Sequence, residues 1–178
     1  MYFGCNTKLN KVMEKIGFGG SCHWCTEAIF QSLRGISLVE QGWIASDENN
    51  AAYSEAVIVT YDPAPISLAT LIAIHLYTHS CTSVHTMRSK YRSAIYTVSD
   101  EQALQSRQTL KMLQQEFSEP IITKVIPLAA FKLNEANYLN YYYSDPQKPF
   151  CKNIINPKLA ILLKQFKNEV DSSKLALL

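Results

Sequence analysis

Hydrophobic and polar positions along the chain follow two periods, one typical of strands and one typical of helices. Residues 56–61 alternate and are rich in Val, Ile and Thr, which is the pattern of a half-buried strand. The other segments of strand length lie at residues 12–18, 36–45, 93–98 and 121–126, and Pro127 ends the last of them. Five strands are therefore predicted.

Helical spacing of apolar residues fills the intervals between these strands. The first helix follows Gly19 and Gly20 and places Ile29, Phe30 and Leu33 on one face. Further helices are predicted at residues 67–78, 99–117, 137–143 and 157–167, and irregular or loop structure at residues 80–90 and 146–151. Mixed order without strict alternation favours an α+β fold, a two-layer sandwich with a mixed central sheet, a ferredoxin-like core and a C-terminal extension.

Composition narrows the class of protein. A chain of 178 residues with 47% hydrophobic content suits a single domain, whose core we place at about residues 12–167. The formal net charge of +2 argues against nucleic acid or an anionic membrane as the main partner. The basic C-terminal residues, Lys158, Lys164, Lys167 and Lys174, are expected on a solvated helix face. Without a membrane-length apolar segment or a signal-peptide core in residues 1–11, a cytoplasmic location is expected.

Five cysteines are the next signal: Cys5, Cys22, Cys25, Cys81 and Cys151. Their odd number in a chain of this size favours catalytic or redox use over a disulfide scaffold. Cys22 lies where an apolar strand ends and a helix begins, so its thiol is predicted to face the free N–H groups and the positive end of the helix dipole. This field stabilises a thiolate and can lower the pKa of a cysteine well below about 8.5.

The segment from Cys22 to Cys25 is also a C-x-x-C motif with two other interpretations. One is a thioredoxin-like redox pair, although the interior His-Trp is unlike the Gly-Pro of that class. The other is half of a zinc site, which would need Cys81 with His79 or His85 to complete it. We predict no metal site.

Three further residues have chemistry that a cysteine nucleophile could use. Glu55 begins an otherwise apolar strand, and a carboxyl group beside a buried sheet can serve as an acid near neutral pH. Tyr91 places a phenol just before a strand. Cys151 lies in a segment between Pro149 and Pro157 that is predicted to be mobile, which suits a resolving thiol.

Taken together, the motifs resemble those of the peptide methionine-S-sulfoxide reductase family, A type. Gly-Cys-Phe-Trp of the family is matched by Ser-Cys-His-Trp at residues 21–24, with Glu27 and Phe30 following. Gly-His-Ala-Glu is matched by Ala-Tyr-Ser-Glu at 52–55 before Tyr-Asp-Pro at 61–63, and Gln-Tyr-Arg-Ser-Ala-Ile-Tyr by Lys-Tyr-Arg-Ser-Ala-Ile-Tyr at 90–96. The tail, at 140–142, 149–151 and 157–159, resembles a common C-terminal form, so the likeness spans about residues 12–167.

The resemblance implies thiol-dependent reduction of free or protein-bound methionine-S-sulfoxide. Cys22 would be the nucleophile, with protonated Glu55 and the Tyr91 hydroxyl acting on the sulfoxide oxygen. The resulting sulfenic acid would condense with a resolving cysteine, Cys151 as first choice and Cys25 as second. No bound cofactor is implied, and an external thiol, thioredoxin or dithiothreitol, would reset the enzyme.

Substrate binding is where the sequence departs from the family. Trp24 would contact the S-methyl group, but the adjacent Phe of the family is His23. An aspartate is replaced by Thr86, and a tyrosine falls in a shortened segment at residues 47–52, where Tyr53 could supply a hydroxyl. These departures leave open a non-catalytic relative that binds ligands or partners, and the C-x-x-C leaves open a general disulfide oxidoreductase.

Overall fold

A computed structural model describes residues 12–175, and Cys5 and the rest of residues 1–11, for which no signal-peptide core was predicted, lie outside them. The strands are β1 (Glu14–Gly19), β2 (Ile36–Ala45), β3 (Ser54–Tyr61), β4 (Ala94–Thr97), β5 (Lys124–Pro127) and β6 (Ala130–Leu133). The α-helices are α1 (His23–Gln31), α2 (Leu68–Thr78), α3 (Asp100–Leu113), α4 (Tyr141–Ser144) and α5 (Asn156–Gln165). Within this part of the chain, no helix is long and apolar enough to cross a membrane.

The six strands form one mixed sheet in the order β5-β4-β1-β3-β2-β6. β1 and β3 are antiparallel neighbours at its centre, with Phe18 opposite Val57. β4 and β5 are parallel, and the other pairs are antiparallel. The mixed sheet with five helices confirms the predicted α+β class.

Alternation along the central strands divides the core between the two faces of the sheet. Val57, Val59 and Phe18 belong to the large core that the helices cover, and the Phe18 and Phe30 rings stack with centroids 4.6 Å apart. Ala56 and the other intervening residues face a smaller apolar cluster on the opposite side. Phe30 packs α1 against this sheet. The core therefore fixes the position and orientation of the residues at the start of α1.

The edges of the sheet differ from the sequence prediction. β6 was not predicted, because a four-residue strand with two exposed residues lacks a clear apolar alternation. β5 begins at Lys124 rather than at residue 121, because it forms only where the chain runs beside β4. Both strands depend on pairing with a distant segment, which local periodicity does not report.

The C-terminal extension corrects two predictions. The helix expected at residues 137–143 is divided, because Asn140 adopts a left-handed conformation (φ 53°) between a short 3₁₀ turn and α4. The segment expected to be a mobile loop up to Cys151 instead ends in a π-helical turn, Cys151–Ile155, that continues into α5. Its apolar residues Cys151 and Ile155 are fully buried, and this burial holds the turn in place.

A tight junction joins β1 to the start of α1. Gly20 has φ +143°, and a Cβ there would lie 2.5 Å from the His79 ring. The His79 ring is itself fixed, because one nitrogen lies 2.6 Å from the His75 carbonyl and the other 2.8 Å from the Ser93 hydroxyl. Glycine is therefore required at position 20 by both conformation and space.

We expect Gly20→Ala to lower the free energy of unfolding by about 1–3 kcal/mol from backbone strain, with a further loss from the clash with His79. Urea denaturation of both single variants and of the Gly20→Ala/His79→Ala double variant measures this. Because the ring is the obstacle, the double variant should lose less than the sum of the single losses. A Gly20→Ala protein within 0.5 kcal/mol of wild type (about the size of an ordinary surface substitution) would contradict the argument.

Candidate active site

Cys22 occupies the N-cap position of α1, as the sequence predicts. Its carbonyl accepts the N–H groups of Cys25 and Thr26, each at 3.1 Å, which begins the helix. The thiol is only partly buried and lies beside the amides of the first turn. The sheet and the Gly20 junction therefore deliver an accessible thiol to the positive end of a helix.

The neighbouring Cys25 thiol is the main influence on Cys22. A hydrogen bond from Cys25 lowers the pKa of Cys22, and the backbone N–H groups of Trp24 and Cys25 act in the same direction against burial and the charge of Glu55. The same hydrogen bond, with burial, raises the pKa of Cys25. Cys22 is thus the more readily ionised thiol of the pair, and Cys25 is the hydrogen-bond donor.

Lys158 lies near this cysteine pair, contrary to the expectation of a solvated lysine. Burial lowers the pKa of Lys158, and the charges of Cys25 and Cys22 oppose that effect. Its ammonium donates a hydrogen bond to the Thr78 carbonyl at 2.6 Å, at the end of α2. Sequence reasoning missed Lys158 because nothing in the local sequence distinguishes it from the other three C-terminal lysines. Only the packing of α5 against α2 separates Lys158 from them.

Glu55 lies in β3 with 4% of its surface exposed, close enough to Cys22 for its charge to raise the pKa of that thiol. One carboxylate oxygen accepts the His23 backbone N–H at 3.0 Å and lies 3.4 Å from the His23 ring. The other lies 3.2 Å from the Lys90 ammonium. The carboxylate is buried as predicted, but it is paired with a cation that the sequence analysis did not anticipate.

Tyr91 is half-buried and adjoins this pair. Hydrogen bonding to the Tyr91 side chain, and then to Glu55, raises the pKa of Lys90, whose ammonium is 5.1 Å from the Tyr91 ring centre. The Met87 carbonyl accepts the Tyr91 backbone N–H at 2.9 Å. Glu55, Lys90 and Tyr91 therefore form one polar cluster beside the start of α1.

Trp24 is held by the C-terminal extension. Its ring stacks on Tyr141 with centroids 4.0 Å apart, and its indole N–H donates to the Tyr138 carbonyl at 3.0 Å. The buried His23 ring meets Trp24 and Trp43 edge-on, each at 5.8 Å. One face of the predicted methyl-binding indole is therefore covered by the chain itself.

Two positions connected with the departures from the family pattern, Tyr53 and Thr86, are exposed. Tyr53 has 49% of its surface exposed just before β3, two residues from Glu55. Thr86 is also exposed and begins a 3₁₀ turn, Thr86–Ser89. Of the two, only Tyr53 has a hydroxyl on a long side chain that could reach a bound ligand.

Glu27 anchors the extension and was not assigned a role by the sequence analysis. It is 2% exposed and accepts the backbone N–H groups of Asn140 at 2.8 Å and Tyr141 at 3.3 Å. Gln41 donates to the same carboxylate at 2.8 Å. Burial raises the pKa of Glu27, and these hydrogen bonds oppose the increase. The sequence signal that could have identified Glu27 was the presence of a glutamate on the apolar face of α1.

Cys151 is fully buried at the start of the π-helical turn, and its thiol contacts the Asp145 carbonyl at 3.5 Å. Burial raises the pKa of Cys151. Burial also raises the pKa of Tyr141, with smaller effects from the charges of Cys151 and Cys22, so Tyr141 lies near both. The structure brings Cys22 and Cys25 together and keeps Cys151 in the packed extension.

Metal binding finds no support in the described ranges, because residues 12–175 contain no group of three His, Cys, Asp or Glu side chains that could hold a metal ion. The arrangement that is present suits thiol chemistry: a stabilised thiolate, a buried carboxyl group and a phenol, with aromatic rings beside them.

Comparison with known proteins agrees with the family resemblance of the sequence motifs. The family model of peptide methionine sulfoxide reductase matches residues 14–170. "Peptide methionine sulfoxide reductase MsrA" of Deinococcus radiodurans is 34% identical over 176 residues, covering 90% of this chain and 85% of the relative.

Two crystal structures of Mxr1 from Saccharomyces cerevisiae share the fold. The reduced form has a TM-score of 0.69 at 20% identity, covering 78% of this chain and 89% of that chain. Mxr1 in complex with Trx2 has a TM-score of 0.58 at 20% identity, covering 72% and 84%.

We expect Cys25→Ala to raise the pKa of Cys22, because the variant lacks the hydrogen bond that stabilises the thiolate. Each unit of increase lowers the thiolate fraction about tenfold at a pH below the pKa. The rate of iodoacetamide alkylation at Cys22, followed by peptide mass spectrometry from pH 5 to 10, should fall at neutral pH and recover at high pH. Cys151→Ala is the control, and equal rates in all three proteins would contradict the role of Cys25.

Proposed function

The chain belongs to the peptide methionine sulfoxide reductase family, and from that premise we propose that it reduces free and protein-bound methionine-S-sulfoxide to methionine through Cys22. The observation that carries the proposal is the Cys22 thiolate, stabilised at the start of α1 and adjacent to the buried Glu55 carboxyl group. Family likeness supports a single reductase domain over residues 14–170.

The first step is attack of the Cys22 thiolate on the sulfoxide sulfur. A bond forms between the two sulfur atoms, and it breaks again as the oxygen passes from the methionine sulfur to Cys22, which becomes a sulfenic acid while the thioether is released. The methionine sulfur is reduced by two electrons and Cys22 is oxidised by two. One proton is consumed, because a thiolate and a sulfoxide become a sulfenic acid and a thioether.

Glu55 and Tyr91 are assigned to the oxygen. Glu55 delivers the proton from a buried carboxyl group, and the Tyr91 hydroxyl donates a hydrogen bond to the same oxygen. The polar cluster that contains both side chains supports this assignment. Neither group needs a metal or a bound cofactor for this role.

Trp24, His23 and Tyr53 are assigned to substrate binding. Because Tyr141 covers one face of the Trp24 ring, the S-methyl group is proposed to contact the uncovered part of the indole, beside the His23 ring. Tyr53 is proposed to supply a hydroxyl from the exposed segment before β3.

Cys151 remains our first choice for the resolving cysteine, with Cys25 second. Cys151 is buried beside Tyr141, which also lies near Cys22, and the disulfide would bring the two sulfur atoms to about 2.05 Å. Condensation of the Cys151 thiol with the sulfenic acid forms the disulfide and releases water. Strain in the short ring that Cys22 and Cys25 would close disfavours the alternative.

Thioredoxin is the proposed physiological reductant, and dithiothreitol would replace it in an assay. The Mxr1 complex with Trx2 supports this partner. Two thiols of the reductant become a disulfide as the enzyme disulfide returns to two thiols. A reducing compartment suits such a cycle, so we propose the cytoplasm as its location.

A second candidate function is general disulfide exchange by the C-x-x-C motif. The hydrogen bond between the Cys22 and Cys25 thiols favours it, because redox pairs of this kind combine a low-pKa cysteine with a buried partner. Reduction of a disulfide peptide, measured beside reduction of methionine-S-sulfoxide, separates the two functions.

The test of the primary function is a single turnover without added reductant. The reduced protein should produce methionine from methionine-S-sulfoxide, Cys22→Ser should produce none, and Glu55→Gln should be slower by about 10²–10⁴-fold with substrate binding largely retained. Lys124→Gln, on the far edge strand, is the control and should match wild type. Turnover by Cys22→Ser at the wild-type rate would refute the nucleophile.

Loss of Cys151 should separate the reductive step from recycling. Cys151→Ser is expected to complete the first reduction and to lose cycling supported by thioredoxin, because its sulfenic acid has no resolving partner. Peptide mapping of wild type after one turnover should find a Cys22–Cys151 disulfide. A Cys22–Cys25 disulfide, with cycling kept in Cys151→Ser and lost in Cys25→Ser, would show that the C-x-x-C resolves.

A further inference from the structure

Lys90 is a charged group beside Glu55 and Tyr91 that the proposed chemistry leaves without a role. It replaces a glutamine in the motif that the family shares with residues 90–96. Its ammonium lies 3.2 Å from Glu55 Oε1 and 5.1 Å from the centre of the Tyr91 ring. We propose that Lys90 is a further catalytic residue, whose ammonium binds the sulfoxide oxygen and stabilises the negative charge that develops on it.

This inference rests on the proposed function and follows from the geometry of three side chains. An oxygen that meets both the Glu55 carboxyl group and the Tyr91 hydroxyl must enter the space between them. The Lys90 ammonium contacts Glu55 and lies over the Tyr91 ring, so an oxygen that enters between these two side chains also comes within its reach. The charge is in place before the substrate binds, which is the condition for effective electrostatic stabilisation.

Lys90 is also free to serve a new acceptor. About half of its side chain is exposed (46%), whereas the Glu55 side chain is 6% exposed. An ammonium carries three donors, so it can contact the substrate oxygen, Tyr91 and Glu55 together. Hydrogen bonding to Tyr91 and Glu55 raises the pKa of Lys90, which keeps it cationic at neutral pH.

A cation at this position would stabilise the charge that develops on the sulfoxide oxygen. As the thiolate attacks, electron density moves onto the oxygen, and a positive charge beside it lowers the barrier until the proton arrives. The proton that completes the step comes from the protonated Glu55 carboxyl group, as in the proposed function. Lys90 would thus act on the oxygen directly, and Glu55 would complete the transfer.

Kinetic analysis of Lys90→Met, Lys90→Arg and Lys15→Met tests the proposal. Lys15 pairs with Glu40 at 3.5 Å on an exposed part of β1, so it is a matched lysine–glutamate pair outside the site. We expect Lys90→Met to lower kcat by about 10²-fold with KM changed much less, as for removal of one oxyanion-stabilising donor. Lys90→Arg should stay within about tenfold of wild type because it keeps the charge, and Lys15→Met should match wild type.

Alkylation of Cys22 by iodoacetamide provides the second readout. Lys90 is assigned to the oxygen and not to the thiol, so Lys90→Met should alkylate within about twofold of the wild-type rate, which also shows that the site is folded. An alkylation rate that falls together with kcat would overturn the proposal, because Lys90 would then act through Cys22.

The remaining outcomes are equally decisive. A kcat of Lys90→Met within threefold of wild type would overturn the role of Lys90 while leaving the reductase function intact. Equal losses in Lys90→Arg and Lys90→Met would show that side-chain shape, and not charge, matters, and would also overturn it. A wild-type protein with no turnover of methionine-S-sulfoxide would overturn both the function and this inference.

Discussion

The structure must keep two acidic groups, the Cys22 thiol and the Glu55 carboxyl group, next to each other at the end of the central sheet. The charge of Glu55 disfavours the ionised form of Cys22, and burial of the thiol adds to that cost. The chain offsets this cost on the thiol side with the Cys25 hydrogen bond and the amides that begin α1. On the carboxylate side it uses the His23 N–H and the Lys90 ammonium. The rest of the fold can be understood as the support for these four contacts.

Support comes first from the pairing of β1 with β3. The antiparallel register places Gly19 opposite Ala56, so the end of β1 lies beside Glu55. Gly20 then turns the chain tightly against the His79 ring, and α1 begins three residues later, at His23. A side chain at position 20 would clash with the His79 ring. The buried histidines therefore contribute to the site by fixing the path of the backbone; burial lowers the pKa of His79 to about 4, so the ring stays neutral in that packing.

The C-terminal extension gives the site its second surface. Glu27 binds the backbone at Asn140 and Tyr141, and Tyr141 stacks on Trp24. The same extension contains Cys151, which it keeps buried. Because one segment both covers the indole and contains the proposed resolving thiol, access of substrate and formation of a disulfide depend on the same few contacts. The buried Glu27 carboxylate is one of the contacts that hold the extension against α1.

The sequence by itself determined the α+β class, the strands and helices with strong periodicity, and the place of Cys22 at the start of α1. Those features follow from local patterns: apolar alternation at residues 56–61, the Gly-Gly junction, and helical spacing of Ile29 and Phe30. Glu55 and Tyr91 were also found from the chain, although only the family motifs distinguished them from ordinary strand-edge residues. Tertiary structure decided the rest. The short strand β6, the buried turn at Cys151, the cation beside Glu55 and the separation of Lys158 from the other C-terminal lysines all arise from contacts between segments far apart in the chain. Periodicity describes how a segment relates to the core, and it contains no information on which distant side chain will share a pocket with it.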